Sequence, residues 1–202
     1  GNFLAAAGPV LADGRRQDRA LTEGGAGYVL FGAVPVIQTP DLAAAVDPAT
    51  QCLSAAPTLT RHPPGELYLS AAQCIEQDRL DDAAFLFGVA GSEGRFDTRR
   101  VADTTAHQVA NFLGVIFTKH VGEASSARLS DHMRSKLDDL QARQAFCRRL
   151  KGLPPPSYHP QYMLGHGMQA FTSADTKDAL IALPDAHKSW ASAVNEYMDC
   201  VE

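Results

Sequence analysis

Between residues 64 and 201, apolar side chains recur three and four positions apart, and this spacing constrains the fold more than any other feature of the chain. Side chains at that spacing lie on one face of an α-helix and must be buried against a neighbouring element. The stretch 103–120 is typical, with apolar residues at Ala106, Val109, Leu113, Ile116 and Phe117. Several such stretches with short connections predict an all-α protein, an irregular multi-helix bundle of about seven helices.

Start and stop signals give the expected bounds of these helices. Pro64 suits the first turn of a helix, Gly94 is a plausible stop, and Pro154-Pro155-Pro156 ends a long helical stretch. The predicted helices are Glu66–Gln77, Asp81–Ser92, Asp103–His120, one long helix from Ser125 or Ser126 to about Leu150, Tyr162–Phe171, Lys177–Leu183 and Asp185–Val201.

The N-terminal part has a different composition. Residues 1–26 are rich in Gly, Ala and Arg without periodicity, which predicts a flexible N-terminal arm. Tyr28–Ile37 is β-branched and aromatic, but Gly32 and Pro35 interrupt it, so we expect an edge strand or an extended, β-like segment. The expected organisation is an arm, 1–26, followed by a single helical domain, 27–202.

Composition excludes some classes of function. The 202 residues are 45% hydrophobic and 20% charged, as in globular domains, and the net charge of −5 is unlike the basic surface of a nucleic-acid-binding protein. No apolar run approaches the roughly 20 residues that span a bilayer, so no transmembrane segment is expected, while a lipid anchor stays open. The small apolar residues 3–12 are compatible with the end of a removed signal peptide.

The four cysteines indicate the compartment. Cys52, Cys74, Cys147 and Cys200 are an even, widely spaced set without the close pairs that zinc ligation or redox motifs require. They are either four buried thiols in a cytosolic protein or two disulfides in an exported one, and the sequence favours disulfides. Of the three possible connectivities, Cys52–Cys74 with Cys147–Cys200 is favoured because each bond joins neighbours in sequence order. The expected location is therefore periplasmic or extracellular.

Residues 64–97 resemble a single tetratricopeptide-type helical hairpin. Leu67, Ala71, Ala83, Phe87 and Ala90 stand where that repeat places its packing residues. Cys74 stands where a tyrosine is common, and no second copy follows in residues 98–131. The resemblance implies a helical hairpin and protein–protein recognition, without a whole-chain family match.

The densest group of chemically capable side chains lies between residues 158 and 168. Tyr158, His159, Tyr162 and His166 are the candidate ligand-binding residues, since two imidazoles two helical turns apart can share a ligand. A catalytic zinc site needs three protein ligands, and no carboxylate lies between Asp139 and Asp175. No catalytic residue, metal-ligand set or cofactor is predicted.

These observations lead to three candidate functions, of which the first is favoured. The first is a non-enzymatic exported helical protein that binds another protein, such as an inhibitor, an immunity-type protein or an envelope scaffold. The alternative is a ligand- or metal-binding protein or an enzyme that uses the segment Tyr158–His166. A third possibility is a structural module whose role depends on a neighbouring domain or anchor.

Overall fold

The computed structural model describes residues 51–54, 57–172 and 179–200, together with the backbone of four strand residues near the N-terminus. The chain divides into two units, Gly1–Thr39 and Pro40–Glu202. In the first unit, β1 (Leu30–Phe31) pairs antiparallel with β2 (Val34–Pro35), within the segment expected to be extended. The predicted arm, 1–26, lies outside the described residues.

The second unit is all-α, as predicted, although several helix boundaries differ from those expected. In the described residues its helices are α1 (Pro64–Glu76), α2 (Leu80–Arg100), α3 (Val109–Val121), α4 (Glu123–Leu137), α5 (Leu140–Lys151), α6 (Gln161–Leu164), α7 (Gln169–Thr172) and α8 (Ala186–Met198). No helix among the described residues combines the length and the apolar character that a membrane span requires.

Helix α2 is the central element, and it is longer than predicted. The expected stop at Gly94 is wrong, because the helix continues through it to Arg100. A Cβ atom on Gly91 would lie 1.9 Å from the Tyr197 ring, and one on Gly94 would lie 3.0 Å from the Cβ of Ala110. The glycines therefore serve close packing against α8 and α3.

The expected long helix from Ser125 or Ser126 to Leu150 is two helices. Gly122, with a φ of 81°, ends α3 and precedes α4, which begins at Glu123. The expected helix is interrupted after Leu137, where the Asp139 side chain accepts a hydrogen bond of 2.7 Å from the Ala142 N–H and caps α5. Asp138 thus ends α4, and Asp139 starts the next helix.

The region after α5 also departs from the prediction. The expected helix Tyr162–Phe171 is divided into α6 and α7. Of the expected helix Lys177–Leu183, residues 177 and 178 lie outside the described part, and the remainder is extended, with Leu180 in an antiparallel bridge to Val101. Helix α8 is capped by Asp185, which accepts from the Lys188 N–H, and ends before Asp199, whose φ is 50°.

The core of this unit lies around α2, which packs against α1, α3, α4, α5 and α8. Trp190 of α8 is completely buried, and its Nε1–H donates to the Leu150 carbonyl at 3.0 Å. A smaller apolar cluster forms where α3 meets α6, around Met163 and Val109. This arrangement removes from water most of the stripes that the sequence pattern identified.

Two disulfides link the core to its periphery, with the pairing that the sequence favoured. Cys52–Cys74 joins the segment before the first helix to α1, and Cys147–Cys200 joins α5 to the chain just after α8. All four sulfurs are engaged, so the described chain has no free cysteine. Each disulfide closes a loop of the chain and so lowers the entropy of the unfolded state. In the chain-entropy model, each bond contributes about 3–4 kcal/mol to stability.

Candidate functional site

Two of the four candidate residues meet at one buried carboxylate. The hydroxyls of Tyr158 and Tyr162 each donate a hydrogen bond of 2.7 Å to the same oxygen, Oδ2 of Asp97. Pro154-Pro155-Pro156 ends the preceding segment, and α6 then turns Tyr162 towards the middle of the fold beside Tyr158. The contact anchors the segment after α5 onto the last turns of α2.

The other oxygen of Asp97 is paired with a cation from its own helix. Arg100 Nε donates to Asp97 Oδ1 at 2.6 Å, and the guanidinium carbon lies 5.0 Å from the centre of the Tyr158 ring. Burial raises the pKa of Asp97, while Arg100 and the two tyrosine hydrogen bonds oppose that increase. The carboxylate, completely buried, thus accepts three hydrogen bonds, which is how proteins usually accommodate a buried charge.

Glu93 lies one helical turn before Asp97 and has a very different environment. It is also completely buried, but neither of its carboxyl oxygens has a hydrogen-bond partner among the described residues. Burial raises the pKa of Glu93 well above its ordinary value, and the nearby charge of Asp97 adds to the increase. The cluster therefore combines one ion pair with one acid whose pKa is raised and which has no hydrogen-bond partner among the described residues.

The two histidines do not join this cluster. His159 is exposed, and His166 is half-buried with its Nδ1 against the backbone carbonyl of Tyr162. In the described part of the chain, no three His, Cys, Asp or Glu side chains are placed to hold a metal ion together. The residues that sequence reasoning missed are Glu93, Asp97 and Arg100, whose spacing of four and three along a helix was a usable signal. The expected stop at Gly94 concealed it.

A second candidate site is an open cleft of about 290 Å³ where α2, α4 and α5 meet. Its walls are mainly apolar, and its edge carries charged groups. The apolar lining residues are Ala84, Met133, Leu137, Ala142, Ala145 and Phe146. Asp81, His132, Lys136 and Arg149 complete the lining.

The charged groups at this cleft divide into a neutralised set and a single cation. Asp81 Oδ1 lies 2.8 Å from both Lys136 Nζ and His132 Nε2, and these two contacts, that of Lys136 first, lower the pKa of Asp81. Arg149 stands on the α5 wall with its guanidinium carbon 4.4 Å from the centre of the Phe85 ring. Among the described residues, no carboxylate or other hydrogen-bond acceptor pairs with Arg149.

Helix α3 adds a third feature of the surface. Phe112 is 46% exposed and Val115 is 52% exposed, although Leu113 and Phe117 on the other side of the helix are buried. Single exposed apolar residues are common in soluble proteins, so this pair carries less weight than a concave site.

In comparisons with known proteins, the chain matches no family model, no curated protein and no solved structure. A function for this chain must therefore be argued from the geometry of its candidate sites.

Proposed function

We propose that this chain is an exported, non-enzymatic helical protein that binds another protein. The observation that carries the proposal is the open apolar cleft between α2, α4 and α5. Concave, water-excluding pockets that receive a single large side chain dominate the affinity of many protein interfaces. The disulfides support the exported location, since such bonds persist in oxidising compartments.

The test of binding is affinity capture with the full chain, using envelope or extracellular extract of the source organism. A partner is expected at near-stoichiometric yield on the wild-type chain, with a large loss on Ala145→Trp, which fills the cleft from the exposed side of α5. The matched control is Gln144→Trp, because Gln144 is an exposed neighbour that does not line the cleft. Absence of a stoichiometric partner, or equal capture by the two variants, contradicts the proposal.

The exported location has its own test. Intact mass of the native protein, measured with an alkylating reagent before and after reduction, counts the bonded cysteines directly. Four thiols that become alkylated only after reduction are expected, because the disulfides pair Cys52 with Cys74 and Cys147 with Cys200. Alkylation without reduction would remove the argument for export.

The buried cluster favours the alternative function less. A ligand-binding or catalytic role for the segment Tyr158–His166 requires access to its acidic groups, and both Glu93 and Asp97 are completely buried. The described geometry agrees better with a role of Asp97 in holding the two tyrosines in place. A rise in Tm on addition of Zn²⁺ or Mg²⁺, lost in Asp97→Asn, would reverse this preference.

A further inference from the structure

The cleft between α2, α4 and α5 is large enough to receive one large side chain. Its volume of about 290 Å³ lies at the lower limit of small-molecule sites, which usually enclose about 300–1,000 Å³. The floor is formed by Ala84, which is 6% exposed, and by the half-buried Met133 and Phe146. Such a floor offers dispersion contacts to a leucine, methionine or phenylalanine side chain and has few polar groups to hold a polar ligand.

The charges at the edge add a second requirement. The carboxylate of Asp81 already neutralises Lys136 and contacts His132, so the wall made by α2 and α4 has little unbalanced charge. Arg149, on the α5 wall, keeps its hydrogen-bond donors without an acceptor among the described residues. A guanidinium with free donors matches the two oxygens of a carboxylate.

The position of Arg149 is also restrained. Its guanidinium lies over the Phe85 ring at 4.4 Å, and Phe85 itself packs edge-on against Phe146 in the cleft wall at 5.8 Å. A side chain that stacks on a buried ring loses less freedom when it binds than one that extends into water. The cation is thus held next to the apolar floor.

From these contacts, and resting on the protein-binding function proposed above, we propose that the cleft receives a large apolar side chain of the partner with an aspartate or glutamate close to it in the partner's sequence. Charge complementarity to Arg149 selects the acidic neighbour, and the apolar lining of the cleft selects the apolar anchor.

A purely structural role of Arg149 makes a different prediction. Arg148, Arg149 and Lys151 all lie in the last turn of α5, where basic side chains are favourable because of the helix dipole. That role applies equally to Arg148 and Arg149, which are both exposed. Only Arg149 lines the cleft, so docking separates the two residues.

The experiment is selection of random linear peptides, displayed on phage, against the immobilised full chain. Enriched peptides are expected to pair a leucine, methionine or phenylalanine with a nearby Asp or Glu. A synthetic peptide from the selection should bind about five- to tenfold more weakly to Arg149→Glu, and its Asp→Asn or Glu→Gln version should lose a similar factor on the wild-type chain. Arg148→Glu should change binding less than about twofold, and Ala145→Trp should abolish it.

Arg149→Gln guards against misfolding of the charge-reversed variant, since it keeps part of the side chain and removes the charge. Thermal unfolding of each variant shows whether it folds. The proposal is overturned when no peptide is enriched, when enriched peptides show no preference for acids, or when Arg148→Glu weakens binding as much as Arg149→Glu. A partner whose capture is blocked by Ala145→Trp but is insensitive to Arg149→Gln would leave the protein-binding function standing and refute the acidic recognition alone.

Discussion

Glu93 offers the sharpest test of the energetics described here. Both of its carboxyl oxygens are buried without a partner among the described residues, whereas Asp97, one turn later, accepts three hydrogen bonds. Replacing an unsatisfied buried polar group by an apolar side chain of similar length removes a desolvation cost of about 1–3 kcal/mol. Glu93→Met is therefore expected to stabilise the protein by that amount, and Tm should rise by about 2–4 °C for each kcal/mol in a chain of this length.

The stabilisation should depend on pH with a defined sign. Burial, reinforced by the charge of Asp97, raises the pKa of Glu93, so the native state keeps a proton that the unfolded chain releases above about pH 4. The native state then binds more protons than the unfolded state, and stability of the wild-type chain falls as pH rises from that value. The methionine variant lacks this term, so its advantage should grow from pH 4 towards neutral pH.

Urea unfolding at several pH values, followed by circular dichroism, measures both effects. Glu76→Gln on the exposed surface of α1 is the matched control, with a change below about 0.5 kcal/mol expected. Asp97→Asn is expected to have the opposite sign, because it removes the buried partner of an ion pair and leaves the half-buried Arg100 without its counter-charge, at a cost of about 3–5 kcal/mol. Destabilisation by Glu93→Met comparable to that of Asp97→Asn would refute the assignment of Glu93 as an unsatisfied group.

Further substitutions test the packing of α2 and the contacts of the segment after α5. Gly91→Ala should lower stability by about 1–3 kcal/mol or more in urea unfolding, because its Cβ would lie 1.9 Å from the Tyr197 ring. Its control, Gly65→Ala, has no atom within 4 Å of the new Cβ and should raise stability by about 0.5–1 kcal/mol. Equal effects of the two substitutions would disprove the close approach of α8. Asp103→Ala should cost about 1–3 kcal/mol at neutral pH, because the Gln169 N–H donates to its carboxylate at 2.8 Å. Burial favours a higher pKa for Asp103, but the hydrogen bonds to its carboxylate outweigh burial, and the net pKa is lowered. The stability that Asp103 contributes is therefore present above about pH 4 and is lost as pH falls through the lowered pKa. A stability difference between Asp103→Ala and wild type that widens in acid would contradict the assignment.

Part of the candidate site could be predicted from the sequence. Tyr158 and Tyr162 were identified because aromatic and imidazole groups are concentrated in that segment, and the structure brings these two together. Their acceptor, Asp97, lies sixty-one residues before Tyr158, and nothing in the local pattern relates the two positions. The histidines belong to the same segment but not to the contact, because His159 precedes α6 and is exposed, and His166 follows the single turn of α6.

The helical class followed from the sequence alone, because helical periodicity is a local property, and the favoured disulfide pairing followed from joining cysteines that are neighbours in sequence order. The role of Gly91 was decided by the tertiary structure: a glycine ends a helix or admits a close neighbour depending on what lies opposite, and here the Tyr197 ring lies opposite. The burial of Glu93 beside a paired Asp97 and the cleft along α5 also arise only when distant helices meet. Both depend on which surfaces the packing of the helices covers and which it leaves open, and that is a property of the whole assembly of helices.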